Sequence, residues 1–96
     1  MEAARRPHRI DDSSGRPVVA GTDIKVSQIA SEVEHLGMSP DEVVDAHPHL
    51  TLADVHAALA YYFDHLDDIR SEWLEARALV AELRRRYPGR LVGRGR

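Results

Sequence analysis

The fold of this chain is decided by residues 51–87, which read TLADVHAALAYYFDHLDDIRSEWLEARALVAELRRRY. Within this stretch, apolar residues recur at alternating steps of three and four, the heptad spacing that keeps one side of a helix facing a partner. They are Leu52, Val55, Leu59, Tyr62, Leu66, Ile69, Trp73, Ala76, Val80, Leu83 and Tyr87. No Gly or Pro interrupts the series before Pro88, and Thr51 with Asp54 resembles a capping box. The pattern predicts one long helix.

The predicted helix is too long for the domain that precedes it. It would extend about 55 Å, whereas the residues before it form a compact body only about 25 Å across. Each large apolar side chain left in water forgoes about 1.5–3 kcal/mol of burial. We therefore expect residues 65–88 to be covered by something outside the domain core, either a second copy of the chain or a different protein.

Turn-forming and β-branched residues come before the helices. Asp11–Gly15 has the composition of a turn. Val18-Val19 and the pair Ile24 and Val26 lie on either side of Gly21, and they predict two short strands or extended segments around a tight turn.

Two shorter helices are expected between these segments and residue 51. Residues 27–36 carry apolar side chains on one face and end at Gly37. Ser39-Pro40 and Glu42 supply an N-cap, a proline in the first turn and a capping carboxylate for the next helix, which stops at His47-Pro48. The predicted fold class is mainly α: a three-helix helix-turn-helix domain with a short N-terminal β element and a long C-terminal helix.

Length and composition limit the function classes. Ninety-six residues suit one small domain with an appendage, and the absence of cysteine excludes disulfides and thiolate metal sites. No apolar run reaches the length of a signal peptide core or a membrane span, so we expect a cytoplasmic protein without membrane contact.

The net charge of −3 conceals three unlike blocks. Residues 1–25 contain five Lys/Arg against four Asp/Glu, residues 26–76 contain Arg70 against eleven Asp/Glu, and residues 77–96 contain seven Arg against Glu82. An acidic middle between basic ends is informative about partners. A mobile basic arm at residues 1–8 could reach a phosphate backbone, although terminal charge also serves solubility.

A helix-turn-helix arrangement suggests DNA binding, but the usual charges are missing from its third helix. The first turns of that helix offer Thr51, Asp54 and His56 and no Arg or Lys. The basic ends must therefore supply most of any affinity for DNA. The candidate DNA-binding residues are Arg5, Arg6, Arg9, Arg16, Lys25, Thr51 and His56.

An ordered series of motifs resembles the DUF433 family, which consists of small antitoxin-like proteins with a helix-turn-helix fold. The motifs are GRPVVAGT (15–22), Ile24 and Val26, GMSPDEV (37–43), HPHLTLADV (47–55) and AALAY (57–61), and the likeness covers residues 9–64. The residues that carry the structural motif are Gly15, Pro17, Gly21, Thr22, Ser39 and Pro40. The chain departs from the family pattern at Asp23, where Arg is usual, and at Lys25, where Pro is common. The first change removes a phosphate contact.

The resemblance implies the antitoxin half of a type II toxin–antitoxin pair, whose usual partner is a PIN-like ribonuclease toxin. Such antitoxins commonly dimerise, bind their own promoter and cover the toxin with a C-terminal segment. The implied organisation is a flexible basic arm (1–8), a helix-turn-helix domain (9–64), a partner-binding helical extension (65–88) and a flexible tail (89–96).

The C-terminal extension has three possible partners. Its apolar face could insert into a toxin groove, with Arg side chains meeting an acidic, metal-binding nuclease cleft. It could instead form a homodimeric coiled coil, although in parallel register only Glu72 with Arg77 is plainly favourable. It could also pack on its own domain. The candidate seam consists of Leu66, Ile69, Arg70, Trp73, Ala76, Arg77, Val80, Leu83, Arg84 and Tyr87.

Catalysis and metal binding are not expected. His47 and His49 flank a proline, while His56 and His65 are about 180° apart on a helix and cannot share a site within one subunit. There is no glycine-rich phosphate loop or nucleophile elbow. We expect neither an enzyme nor a cofactor. The alternatives to an antitoxin are a stand-alone DNA-binding regulator and a structural dimerisation module.

Overall fold

The computed structural model describes residues 9–88, so the expected arm (1–8) and tail (89–96) lie outside the described residues. The described part is mainly helical, as predicted, with a two-stranded hairpin near its start and a long last helix. The chain divides into two compact units, with the boundary after Leu66. The elements are β1 (Ile10–Asp11), β2 (Val18–Val19), α1 (Val26–Glu34), α2 (Pro40–Ala46), α3 (Leu52–Asp64) and α4 (Leu66–Arg86).

The hairpin contains the predicted strand Val18–Val19, but its partner strand is Ile10–Asp11 and not the segment at Ile24 and Val26. β1 and β2 are antiparallel, with Ile10 opposite Val19. The segment at Ile24 is extended and lies beside β2, since the Val19 N–H donates to Ile24 O at 2.9 Å, but it contributes only an isolated bridge at Lys25. Val26, which we expected in a strand, begins α1.

The motif residues at positions 15–22 shape the two turns of this region. Gly15 and Gly21 have φ of +89° and +80°, a left-handed conformation that favours glycine. Pro17 is buried, and its carbonyl accepts the Val26 N–H at 2.9 Å. The Thr22 hydroxyl donates to Val19 O at 2.8 Å and accepts the Ile24 N–H at 3.0 Å. These bonds fix the path of the chain from β2 into α1.

Both predicted capping boxes are present. Ser39 Oγ accepts the Glu42 N–H at 3.2 Å while the Glu42 carboxylate accepts the Ser39 N–H at 2.8 Å, and Pro40 occupies the first turn of α2. Thr51 and Asp54 make the same reciprocal pair at the start of α3, at 3.1 and 2.9 Å. Each box satisfies backbone donors that have no partner within a helix end.

The core of the first unit lies where α3 packs on α1 and α2, with β1 also contacting α3. The buried side chains of α3 follow one another at steps of three and four, which is the spacing of one helical face. The buried apolar residues of this unit are Val19, Val26, Ile29, Ala30, Val43, Leu50, Val55, Ala58 and Tyr62.

The single long helix predicted for residues 51–87 is wrong, because it is interrupted at His65. This residue has φ −133° and ψ 45°, outside the helical range, and its N–H donates to Tyr62 O at 3.1 Å instead of continuing the α-helical ladder. Its ring nitrogen Nδ1 donates to Tyr61 O at 2.9 Å, and its ring stacks on Tyr61 with centroids 3.9 Å apart. The side chain thus takes over the acceptor that the backbone N–H would otherwise use.

Histidine occupies the C-cap of each of the first three helices, at His35, His47 and His65. His35 Nδ1 is 2.9 Å from Ser31 Oγ, and His47 Nε2 is 2.9 and 3.0 Å from the two carboxylate oxygens of Glu32. A histidine suits this position because the partial negative charge of a helix C-terminus favours donors and cations. These three histidines therefore have structural roles.

Candidate functional site

The candidate partner-binding surface is the far part of α4. Ile69 is the one buried residue of this 21-residue helix, so we remove it from the candidate seam. Beyond it, the apolar side chains at heptad spacing remain partly or fully exposed: Val80 is 42% exposed and Tyr87 48%, while Trp73 and Leu83 are half-buried. We define the distal stripe as Trp73, Ala76, Val80, Leu83 and Tyr87.

Three arginines run beside the distal stripe. Arg70, Arg77 and Arg84 are seven residues apart, so they align along one edge of the helix at successive heptad e positions. All three are exposed, and no ion pair to them is found among residues 9–88. We call them the arginine row. The surface is therefore an apolar stripe bordered by three cations without carboxylate partners.

The remaining arginines of α4 are already engaged. Arg86 Nε lies 3.1 Å from Glu82 Oε2, and Arg85 pairs with the other carboxylate oxygen of Glu82. Asp67 and Asp68 in the first turn and these cations in the last turn also suit the helix dipole. Arg85 and Arg86 therefore support the helix itself, whereas the arginine row is available to a partner.

The charges disfavour an antiparallel pair of α4 helices and give a parallel pair little support. In an antiparallel pair the e positions of the two helices face each other, which would bring the arginine row against its own copy. In a parallel pair, Glu72 faces Arg77 and attracts it. Leu79 faces Arg84, so this second contact provides no electrostatic attraction. A partner surface that carries carboxylates would satisfy the row in full.

Two of the candidate DNA-binding residues, Arg9 and Thr51, form hydrogen bonds with Asp54 at the start of α3. Arg9 Nη1 donates to Asp54 Oδ1 at 3.0 Å, and the Thr51 hydroxyl accepts the Asp54 N–H. Asp54 keeps a carboxyl pKa below its ordinary value, first because the Thr51 N–H donates to it and then because of Arg9. Asp54 is thus part of the capping box of α3 and is paired with Arg9.

The other candidate DNA-binding residues do not form one patch that the structure defines. Arg16, Lys25 and His56 are exposed, with Lys25 at the N-cap of α1 and His56 on α3. Arg5 and Arg6 lie outside the described residues.

No group of three or more His, Asp or Glu residues within positions 9–88 could hold a metal ion. Nor is any helix in this part of the chain long and apolar enough to cross a membrane.

A second uncovered surface lies on α3, which the sequence analysis treated as part of a continuous seam. Leu52 is 44% exposed and Phe63 59%, while His56 between them is exposed and Leu59 is half-buried. Their steps of four, three and four place them on one side of the helix. We call these four residues the outer face of α3. The sequence could have indicated this surface, because α3 carries large apolar residues on more than one side and a single side is enough to pack on the core.

Comparison with known proteins bears on the family alone. No curated protein and no solved structure matches the chain. One family model matches residues 11–62, and its description is "Protein of unknown function (DUF433)". The match covers more than half of the chain, including β2, α1, α2 and most of α3. The chain therefore belongs to the DUF433 family.

Proposed function

We propose that this protein is the antitoxin of a type II toxin–antitoxin pair, and that α4 covers a PIN-like ribonuclease toxin. The observation that carries the proposal is the distal stripe with the arginine row beside it. An amphipathic helix of this kind is suited to a groove on another protein, with aromatic side chains as anchors. A nuclease that binds metal ions through carboxylates would offer the arginine row an acidic surface.

The proposed mechanism is steric and electrostatic occlusion. The apolar stripe supplies burial, at about 1.5–3 kcal/mol for each large side chain that becomes fully covered. The arginine row places positive charge where the toxin would otherwise hold metal ions and RNA phosphates. Because α4 is 21 residues long, it spans about 32 Å, enough to cross the mouth of a small nuclease.

The experiment is co-expression of this chain with its adjacent open reading frame, followed by size exclusion with light scattering and a growth assay. A stable complex and rescue of growth would support the proposal, and a chain that neither binds nor protects against its neighbour would overturn it. Val80→Glu places a carboxylate in the distal stripe, whereas Ala78→Glu places the same carboxylate on another side of α4. We expect at least about a tenfold loss of affinity from the first and little change from the second.

Repression of its own operon is the second part of the proposal. It rests on the arrangement of α2 and α3, which are joined by residues 47–51 as in helix-turn-helix proteins. Since residues 26–65 contain no Lys or Arg, affinity would come from Arg16, Lys25 and the N-terminal arginines. A mobility-shift assay on the promoter should show binding that weakens steeply with salt. Binding that is unchanged in Arg16→Ala and Lys25→Ala variants would contradict this assignment.

A further inference from the structure

Two apolar surfaces of this chain are exposed, and their electrostatic surroundings are opposite. We propose that two copies associate by exchanging α4, so that the distal stripe of each copy lies on the outer face of α3 of the other. The interface is then symmetric and contains the same helix pair twice. The partner is a second copy of this chain, and the α3 surface is its docking site.

The outer face of α3 can receive an apolar helix. It presents Leu52, Leu59 and Phe63 around His56, with Ala60 beside them and no charged side chain among them. Phe63 and Leu52, at 59% and 44% exposed, are large apolar side chains in contact with water. Large exposed apolar side chains grouped on one side of a short helix point to an interaction site. No cation on this face could hold a phosphate backbone.

The dimensions of the two surfaces agree. In both, the side chains follow one another at alternating steps of three and four, with His56 as the one polar member on α3, and this spacing lets helices pack with ridges in grooves at a small crossing angle. The outer face of α3 runs for about 17 Å from Leu52 to Phe63, and the distal stripe for about 21 Å from Trp73 to Tyr87. Each surface is therefore long enough to cover most of the other.

Charge favours the exchanged pairing over the pairing of two α3 faces and over an antiparallel pair of α4 helices. Residues 26–65 contain seven Asp or Glu and no Lys or Arg, while residues 9–25 hold three cations against three Asp, so the body that carries α3 is net acidic over residues 9–65. The arginine row of α4 is attracted to that body. Two α3 faces would instead bring acidic bodies together, and two antiparallel α4 helices would bring arginine rows together. A second copy offers the distal stripe a partner that is both apolar and acidic.

Cross-linking between single-cysteine variants tests the pairing, because the chain has no cysteine of its own. Ala60→Cys marks the outer face of α3, Ala76→Cys marks the distal stripe, and Ala78→Cys marks another side of α4; all three alanines are exposed. The full-length variants are mixed in pairs and treated with a short bis-maleimide. We expect a covalent heterodimer from Ala60→Cys with Ala76→Cys, and only background from Ala60→Cys with Ala78→Cys.

Each other cross-linking result overturns the proposal. Efficient cross-linking of Ala60→Cys with itself would indicate α3 against α3, and the same result for Ala76→Cys would indicate a coiled coil of α4 helices. Equal yields in the two mixtures would indicate random collision. The experiment contains no toxin, so its result is independent of the proposed antitoxin function.

Light scattering across protein concentrations provides the second test. Phe63→Glu should raise the Kd of the dimer by at least about tenfold, whereas Leu36→Glu, at a position 70% exposed on the C-terminal side of α1, should leave it unchanged. Circular dichroism would check that both variants fold. The Kd should also rise with salt, because screening weakens the attraction of the arginine row. A dimer that survives Phe63→Glu or tightens with salt would refute the arrangement.

Discussion

Asp54 gives the sharpest test of how α3 begins. Its Oδ2 accepts the Thr51 N–H at 2.9 Å, and its Oδ1 accepts Arg9 Nη1 at 3.0 Å, with 16% of the side chain exposed. Asp54→Ala removes both bonds. Loss of the capping hydrogen bond costs about 1 kcal/mol, and loss of a partly exposed ion pair costs about 0.5 kcal/mol. We expect the free energy of unfolding to fall by about 1.5 kcal/mol.

The measurement is thermal and urea unfolding followed by far-UV circular dichroism. For a domain of this size, about 1.5 kcal/mol corresponds to a fall in Tm of roughly 6–12 °C. Asp64→Ala is the matched control, because it removes the same residue type from an exposed position in the last turn of α3. There a carboxylate opposes the helix dipole, so the control should be neutral or slightly stabilising.

The pH dependence follows from the lowered carboxyl pKa of Asp54. A carboxyl whose pKa is lower in the folded state stabilises the fold above its unfolded pKa, about 3.9, and loses that contribution as pH falls through the folded pKa. The difference between wild type and Asp54→Ala should therefore be constant from pH 5 to 8 and shrink below about pH 4. A difference below about 0.5 kcal/mol at pH 7, or one that persists unchanged in acid, would refute the capping role.

Three further substitutions test the first unit by urea unfolding. Gly21→Ala should cost about 1 kcal/mol or more, because Gly21 has φ +80° and no atom lies within 4 Å of an added Cβ, so the cost is one of backbone conformation alone. Ser39→Ala should lower the free energy of unfolding by about 1 kcal/mol, because it removes the cap on α2. An unchanged free energy of unfolding would contradict the capping box. Glu32→Ala should cost about 1–3 kcal/mol, since it leaves the half-buried His47 imidazole without its partner, whereas Glu32→Gln should cost less.

Features with local chemical causes could be predicted from the sequence. Ser39 with Glu42 and Thr51 with Asp54 form capping boxes because each pair needs only its own spacing and a following helix. Gly21 was expected in a tight turn, and its positive φ has a similarly local cause. The candidate stripe on α4 could also be predicted from periodicity, since Ile69 is the one buried residue of that helix.

Features that depend on several elements at once could not be predicted. The strand Ile10–Asp11 is too short to show a period, and it exists because Val19 lies opposite Ile10. The break at His65 depends on an imidazole reaching Tyr61 O, which no helix propensity describes. The heptad pattern does not reveal that Val55 is buried while Leu52 faces outward, because a period identifies a repeating direction and not what covers it.

The two proposals place α4 in competition between the toxin and a second copy of the chain. Both partners would use the distal stripe, and both would be attracted by the arginine row. The apparent Kd for the toxin then equals the intrinsic Kd divided by the fraction of α4 helices that are uncovered. If self-association covers about nine helices in ten, the toxin binds about tenfold more weakly than it would to a free α4. A toxin must therefore supply more than an apolar groove: it must hold carboxylates closer to Arg77 and Arg84 than the acidic body of α1–α3 does.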